Sequence, residues 1–309
     1  MARLRQELVD ELDISLAQEV LEELAYARYM EPHEGHRAAY GAVVWLEPLD
    51  NERAGIPSLP SAAGFLASQG TLDVLRTYAD GRTSFVMRGP GVRPTLAVDP
   101  AWRGTEGALA AYAASARAVV VQRLASGRVR VFANERVYSE DGGVWLARPS
   151  AASYLAAVAA VLDPEHHATA RAILDLCVHT LSPAGHGATL VWFPDGVPSE
   201  SPHLDESVGI TPPALSAADA THAPAIAHAL GQLDRAVVLA ADGQLVQANV
   251  TLSSSASHAA LTFMGGTRHN SAGRYSASDA RGMVFVVSAD GPVTVLRAGE
   301  VVASIASLG

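Results

Sequence analysis

Residues 233–296 constrain the fold more tightly than any other part of the chain. The stretch opens Leu233-Asp234-Arg235-Ala236-Val237-Val238-Leu239, turns at Asp242-Gly243 and continues Gln244-Leu245-Val246-Gln247-Ala248-Asn249-Val250. Two runs rich in β-branched residues joined across Asp-Gly predict a hairpin. Further on, Met283-Val284-Phe285-Val286-Val287 is unbroken apolar sequence, the pattern of a strand covered on both faces. A turn at Asp290-Gly291-Pro292 then leads to Val293-Thr294-Val295-Leu296. Set into this oily surrounding is one dense polar cluster, Gly265-Gly266-Thr267-Arg268-His269-Asn270-Ser271-Ala272. Glycine lets a backbone approach a ligand closely. The small residues after it can open a helix, whose first N–H groups suit phosphate together with a hydroxyl and a guanidinium.

The chain around this stretch has 309 residues, enough for two ordinary domains. Its composition, 49% apolar and 17% charged, is that of a globular protein. Every cationic side chain other than histidine is arginine, which excludes a Walker-type or Schiff-base lysine. The net charge of −10 argues against a general nucleic-acid-binding surface. A lone cysteine, Cys177, lies in an apolar helical run and leaves no disulfide framework, which predicts a reducing cytoplasm. No signal peptide and no window of about 20 apolar residues is evident, so a soluble protein is expected, with no membrane partner.

Taken in order, residues 15–29 predict an amphipathic helix and 40–46 a strand, with a polar loop between them. His33, Glu34 and His36 in that loop lack further metal ligands nearby and read as surface. Short helices over 62–67 and 72–78, strands over 83–87, 119–122, 128–132 and 144–147, and an Ala-rich helix over 105–116 make this half α/β or α+β. Arg88, Arg93, Arg103, Arg128 and Arg130 read as scattered surface arginines, and no catalytic constellation stands out. Helices follow over 150–162 and 165–180, with the domain boundary placed at 160/161. Next come a strand over 188–193, a long polar loop over 194–214, and a helix over 221–230 carrying the bystanders His222 and His228. No internal sequence repeat is evident.

The C-terminal half, residues 161–309, resembles the diadenylate cyclase domain. Two motifs carry the likeness. Asp234-Arg235-Ala236 resembles the family's Asp-Gly-Ala, and Gly266-Thr267-Arg268-His269-Asn270 its Gly-Thr-Arg-His-Arg. Ala170-Arg171-Ala172-Ile173-Leu174 and Gly187-Ala188-Thr189-Leu190-Val191-Trp192 resemble the family's first helix and strand. The resemblance implies an α/β fold with a central mixed sheet flanked by helices, separate from an N-terminal α/β or α+β domain (1–160) that would sense or regulate. It implies condensation of two ATP molecules into cyclic di-AMP with release of pyrophosphate. Asp234 would coordinate Mg²⁺ or Mn²⁺ and activate a 3′-hydroxyl, and Arg268 would neutralise phosphate charge. His269 would hold phosphate or metal. Arg235, Ala236, Gly265, Gly266, Thr267, Asn270 and Ser271 would line the nucleotide site. Each domain takes one ATP, so a homo-oligomer through the C-terminal domain is implied. Arg235 and Asn270 depart from the motifs, and the alternative is a nucleotide-binding sensor that keeps the fold and has lost turnover. Asp279 is a candidate for a further acidic position found in relatives. A hydrolase is disfavoured because no Gly-x-Ser-x-Gly elbow occurs.

Overall fold

The computed structural model describes residues 18–30, 38–47, 68–98, 104–141, 144–198, 200–205, 207, 209–255, 257–258, 266–289 and 291–305. The His33–His36 loop, the helix expected over 62–67, Arg103, Gly265 and Asp290 lie outside the described residues. The chain divides into two compact units between Pro149 and Ser150.

In the N-terminal unit, helix α1 (Gln18–Tyr29) precedes strand β1 (Tyr40–Trp45). Then come β2 (Ser68–Gln69), α2 (Leu72–Thr77), β3 (Ser84–Gly89), β4 (Val92–Val98) and α3 (Glu106–Ala116). The antiparallel strands β5 (Ala118–Arg123), β6 (Val129–Ala133), β7 (Arg136–Asp141) and β8 (Val144–Pro149) complete an eight-stranded sheet of order β2-β4-β3-β1-β5-β6-β7-β8. β1 and β3 are parallel, and every other pairing is antiparallel. Val20, Leu21, Leu24 and Ala27 of α1 bury against one face. Leu109, Ala110, Tyr112 and Ala113 of α3 bury against the other. The buried Glu23 of α1 accepts hydrogen bonds from Arg76 (3.0 and 3.1 Å), Arg88 (2.5 Å) and the Tyr40 hydroxyl. Arg88 is therefore part of a buried network, as is Arg130 (below), rather than a scattered surface cation.

The C-terminal unit begins with α4 (Ala151–Ala159) and α5 (His167–Leu176), which a π-helical turn extends to Leu181. The wider turn carries the buried His179, whose Nε2 accepts the Ala151 N–H (3.1 Å) that opens α4. With Tyr154 and Val158 in the same core, α4 belongs to this unit, and the division falls ahead of the expected 160/161. After β9 (Ala188–Trp192), β10 (Leu204–Asp205), α6 (Ala223–Gln232), β11 (Ala236–Leu239) and β12 (Leu245–Leu252) comes α7 (Thr267–Ser278). β13 (Met283–Val287), β14 (Val293–Arg297) and β15 (Glu300–Ile305) close a seven-stranded sheet of order β10-β12-β11-β9-β13-β14-β15. The predicted hairpin is β11–β12, and the unbroken apolar run is β13, paired on both edges and buried throughout. The helices α4, α5 and α6 cover one face, and Ala272 and Tyr275 of α7 cover the other. No described helix is long and apolar enough to cross a membrane.

Although the sequence shows no repeat, the two sheets follow one plan. Omitting the extra edge strand β8, their orders match strand for strand. The parallel pair is β1–β3 in one and β9–β11 in the other, each flanked by an antiparallel strand, β5 or β13. In each, a helix that covers one face, α3 or α7, enters between the fourth and fifth of the main strands.

Candidate functional site

At one end of the C-terminal sheet, the residues before β11, the first turn of α7 and the end of β13 surround a cleft of about 720 Å³. Asp234 lies two residues ahead of β11. Gly266, Thr267, Arg268, His269 and Ser271 come from the start of α7, and Val287, Ser288 and Ala289 from the end of β13 and the turn after it. Gly266 is the N-cap of α7, and no side chain caps that end, so the first N–H groups point outward where an anion gains from them.

Arg268 and Asp234 meet across the cleft, with Nη2 2.6 Å from Oδ1. Gly187, just before β9, makes this possible. A Cβ there would strike the Arg268 guanidinium, with Cζ only 3.0 Å away. The arginine thus lies across bare backbone. His269 turns its Nε2 to the Thr294 hydroxyl of β14 (3.2 Å), which in turn lies 3.3 Å from the Ser304 hydroxyl. It ties the start of α7 to the sheet. The Ser271 hydroxyl donates back to the Arg268 carbonyl (3.0 Å), which fixes the first turn.

Other expected site residues lie elsewhere. Ala236 is buried beneath α7 as part of the floor. Arg235 follows Asp234 in the bend before β11. It does not line the cleft, and its charge acts on Asp205 of β10, whose carboxyl is held low first by hydrogen bonds from Ser207. Asn270 is likewise outside the lining, and its side-chain amide donates to the Gly266 carbonyl (3.1 Å). Asp279 stands at the far end of α7, where Arg281 grips it with two hydrogen bonds (2.8 and 2.7 Å), and it cannot serve the cleft. Gly187 and Thr294 were not singled out from sequence. The signal for Thr294 was a lone hydroxyl in an apolar strand, while Gly187 looked like an ordinary strand start.

A divalent ion would find one carboxylate here. Among the described residues no three His, Cys, Asp or Glu side chains gather as a metal site. One exposed aspartate still fits Mg²⁺, which keeps several waters and takes its remaining ligands from substrate phosphates. His269 lines the cleft while its Nε2 meets the Thr294 hydroxyl.

Residues 215–301 match the family described as DisA bacterial checkpoint controller nucleotide-binding. Residues 3–149 match the probable sensor domain DACNK. No curated protein matches the chain. A solved structure described as a hypothetical membrane spanning protein from Bacillus cereus is 20% identical, over 46% of this chain and 72% of its own, with a TM-score of 0.31. Residues 215–301, which hold the lining of the cleft, thus match a nucleotide-binding domain of the DisA type, and residues 3–149 match a sensor domain of the DACNK type.

Proposed function

We propose that the C-terminal domain is a diadenylate cyclase that condenses two ATP molecules into cyclic di-AMP and releases two pyrophosphates, with the N-terminal domain as its sensor or regulatory module. One observation supports this most. Asp234 and Arg268 are 34 positions apart in sequence, yet they converge on one cleft at an uncapped helix start. In the reaction a 3′-hydroxyl oxygen bonds to the α-phosphorus of the other ATP as the bond to pyrophosphate breaks, and the step occurs twice. The N–H groups of the first turn and the Thr267 hydroxyl hold phosphate oxygens. Arg268 swings from Asp234 to the charge that builds on the transferring phosphoryl group. Asp234, released, would hold Mg²⁺ or Mn²⁺; when bound, the ion polarises the phosphoryl oxygen and favours the ionised hydroxyl. Each domain holds one ATP, so two C-terminal domains meet face to face as a homo-oligomer.

A second reading, a nucleotide-binding sensor without turnover, draws on one feature. Asn270 stands where the motif has arginine, and its amide is spent on the Gly266 carbonyl, which leaves the cleft one guanidinium short. Incubation with ATP and Mn²⁺ or Mg²⁺ separates the two. Chromatography that finds cyclic di-AMP from the wild type and none from Asp234→Asn supports the cyclase. Saturable ATP binding with no product supports the sensor, and no nucleotide binding at all overturns both.

A further inference from the structure

The shared plan of the two sheets gives the N-terminal unit a corner that corresponds to the cleft, and strand register locates it. Val191 pairs with Val238 on one side and Val284 on the other, and Val43 pairs with Met87 and Val120 in the same two senses. Val284 pairs onward with Leu296, as Val120 does with Phe132. These residues all lie in the matching clusters beneath α7 and α3. Two residues before Leu296 is Thr294, which meets His269 in the first turn of α7. Two residues before Phe132 is Arg130, which meets Glu106 in the first turn of α3. A Gly-Thr pair precedes or opens each helix, but Gly266 is the uncapped N-cap of α7, whereas Thr105 is the N-cap of α3 and accepts the Ala108 N–H.

In the C-terminal unit this corner is open, and in the N-terminal unit it is closed in three ways. The backbone before α3 rests directly on the loop before β3: a Cβ on Gly104 would lie 2.5 Å from both the Arg82 Cα and the Gly81 carbonyl oxygen. Gln122, buried at the end of β5, donates its Nε2 to the carbonyls of Gly81 (2.7 Å) and Gly104 (3.1 Å), which stitches the two loops together. The Glu106 carboxylate stands between Arg148 and Arg130, its Oε2 3.4 Å from the Arg130 guanidinium. A carboxylate between two guanidinia occupies the place a phosphate would take in such a fork.

We propose that the N-terminal unit is a second copy of the cleft-bearing fold whose cleft is sealed, with the Glu106 carboxylate standing in for a bound phosphate, so that each chain takes nucleotide in its C-terminal half alone. Removing the stand-in charge should recreate an anion site. In the full chain, Glu106→Gln leaves the two guanidinia facing a neutral amide of the same shape. Inorganic phosphate, compared with chloride at equal ionic strength, should then raise the melting temperature of Glu106→Gln by roughly 2 °C or more and leave the wild type unmoved. An equal response of the two proteins, or none in a folded Glu106→Gln, overturns the assignment. A second measurement holds if that variant fails to fold. ATP titrated into Asp234→Ala/Arg268→Ala should show at most the weakened binding of the altered cleft, and a site that keeps wild-type affinity overturns the seal. Wild-type protein that takes no ATP would defeat the cyclase reading above and leave the sealed copy standing.

Discussion

Arg268 in the C-terminal unit and Arg130 in the N-terminal unit each meet a carboxylate near the start of the helix on the same face of the same sheet plan. Their surroundings differ. The Asp234 side chain is 93% exposed and Arg268 37%, whereas Glu106 is 4% exposed and Arg130 16%. In water an ion pair is weak, because solvent serves the separated charges nearly as well. The Asp234–Arg268 pair can therefore be exchanged for a ligand at little cost. A buried pair cannot, since removing either partner strands a charge away from solvent. Burial lowers the Arg130 pKa, an effect opposed by Glu106 and reinforced by the charges of Arg148 and Arg128. One fold thus spends the same chemistry on a site in one half and on a structural clamp in the other.

The sharpest break of this contrast is at Glu23, which is buried and serves Arg76, Arg88 and Tyr40 at once. Burial, followed by the charge of Glu23 and its hydrogen bond, pushes the Tyr40 hydroxyl far above the ordinary phenol range. Glu23→Ala should cost about 3–5 kcal/mol in denaturant unfolding of the N-terminal unit, as for a buried pair cut on one side. ATP uptake by the C-terminal half should not change. A loss below about 1 kcal/mol, the level of a surface pair, would remove the distinction between the two kinds of ion pair.

The same distinction governs what could be read from sequence. The apolar run of β13 and the Asp-Gly hairpin were legible because both are local patterns. So was the start of α7, marked by Gly266-Thr267. β7 was missed because its hairpin turns on Asn134-Glu135, both at positive φ, without the glycine that usually signals such a turn. β15 was missed behind Ala298-Gly299, a turn of the same hand following an arginine. β4, which carries Pro94, a residue seldom found inside strands, was missed as well. At the site, Asp234 and Arg268 were legible as motif residues. What each side chain touches was not, since Gly187 meets Arg268, and Thr294 meets His269, only through the folded sheet. Arg235 and Asn270 were assigned to the nucleotide by position in a motif; neither lines the cleft, and the Asn270 amide donates to the Gly266 carbonyl. The duplicated plan was invisible because it is kept in the order of strands and not in residues.

A smaller effect is expected at Arg268. Arg268→Ala should weaken ATP binding by about 10- to 100-fold, the loss of a charge-assisted contact to phosphate, and change stability by no more than about 1 kcal/mol. Calorimetric titration and thermal unfolding of the same sample check both halves. If stability falls as far as in Glu23→Ala, the exposed pair is structural and the contrast between the units collapses.

Gly187→Ala tests how the arginine is seated. The new methyl would occupy the space of the guanidinium, so Arg268 must move, and ATP affinity should fall by about 3- to 10-fold, part of what losing the side chain costs. In an Arg268→Ala background the same change should have no further effect on affinity. Equal losses in both backgrounds would mean that Gly187 acts through the β9 backbone instead.

The smallest expected effect lies at the opposite end of α7, where Asp279 is buried and bound by Arg281. These hydrogen bonds, working against burial, hold its carboxyl below the ordinary range. The folded pKa is depressed, so the unfolded chain takes up the proton first as pH falls. The stabilisation is therefore complete above the ordinary carboxylate pKa of about 4 and is lost as acid drives the folded group to protonate. Arg281 remains half exposed, which keeps the contribution near 1 kcal/mol, well under the Glu23 value. Asp279→Asn should thus match the wild type more closely at about pH 2 than at pH 6, and its ATP affinity should be that of the wild type. A constant stability gap across that range would show that the aspartate acts by shape rather than charge. A loss of ATP binding would instead return it to the cleft, from which its place behind the last turn of α7 excludes it.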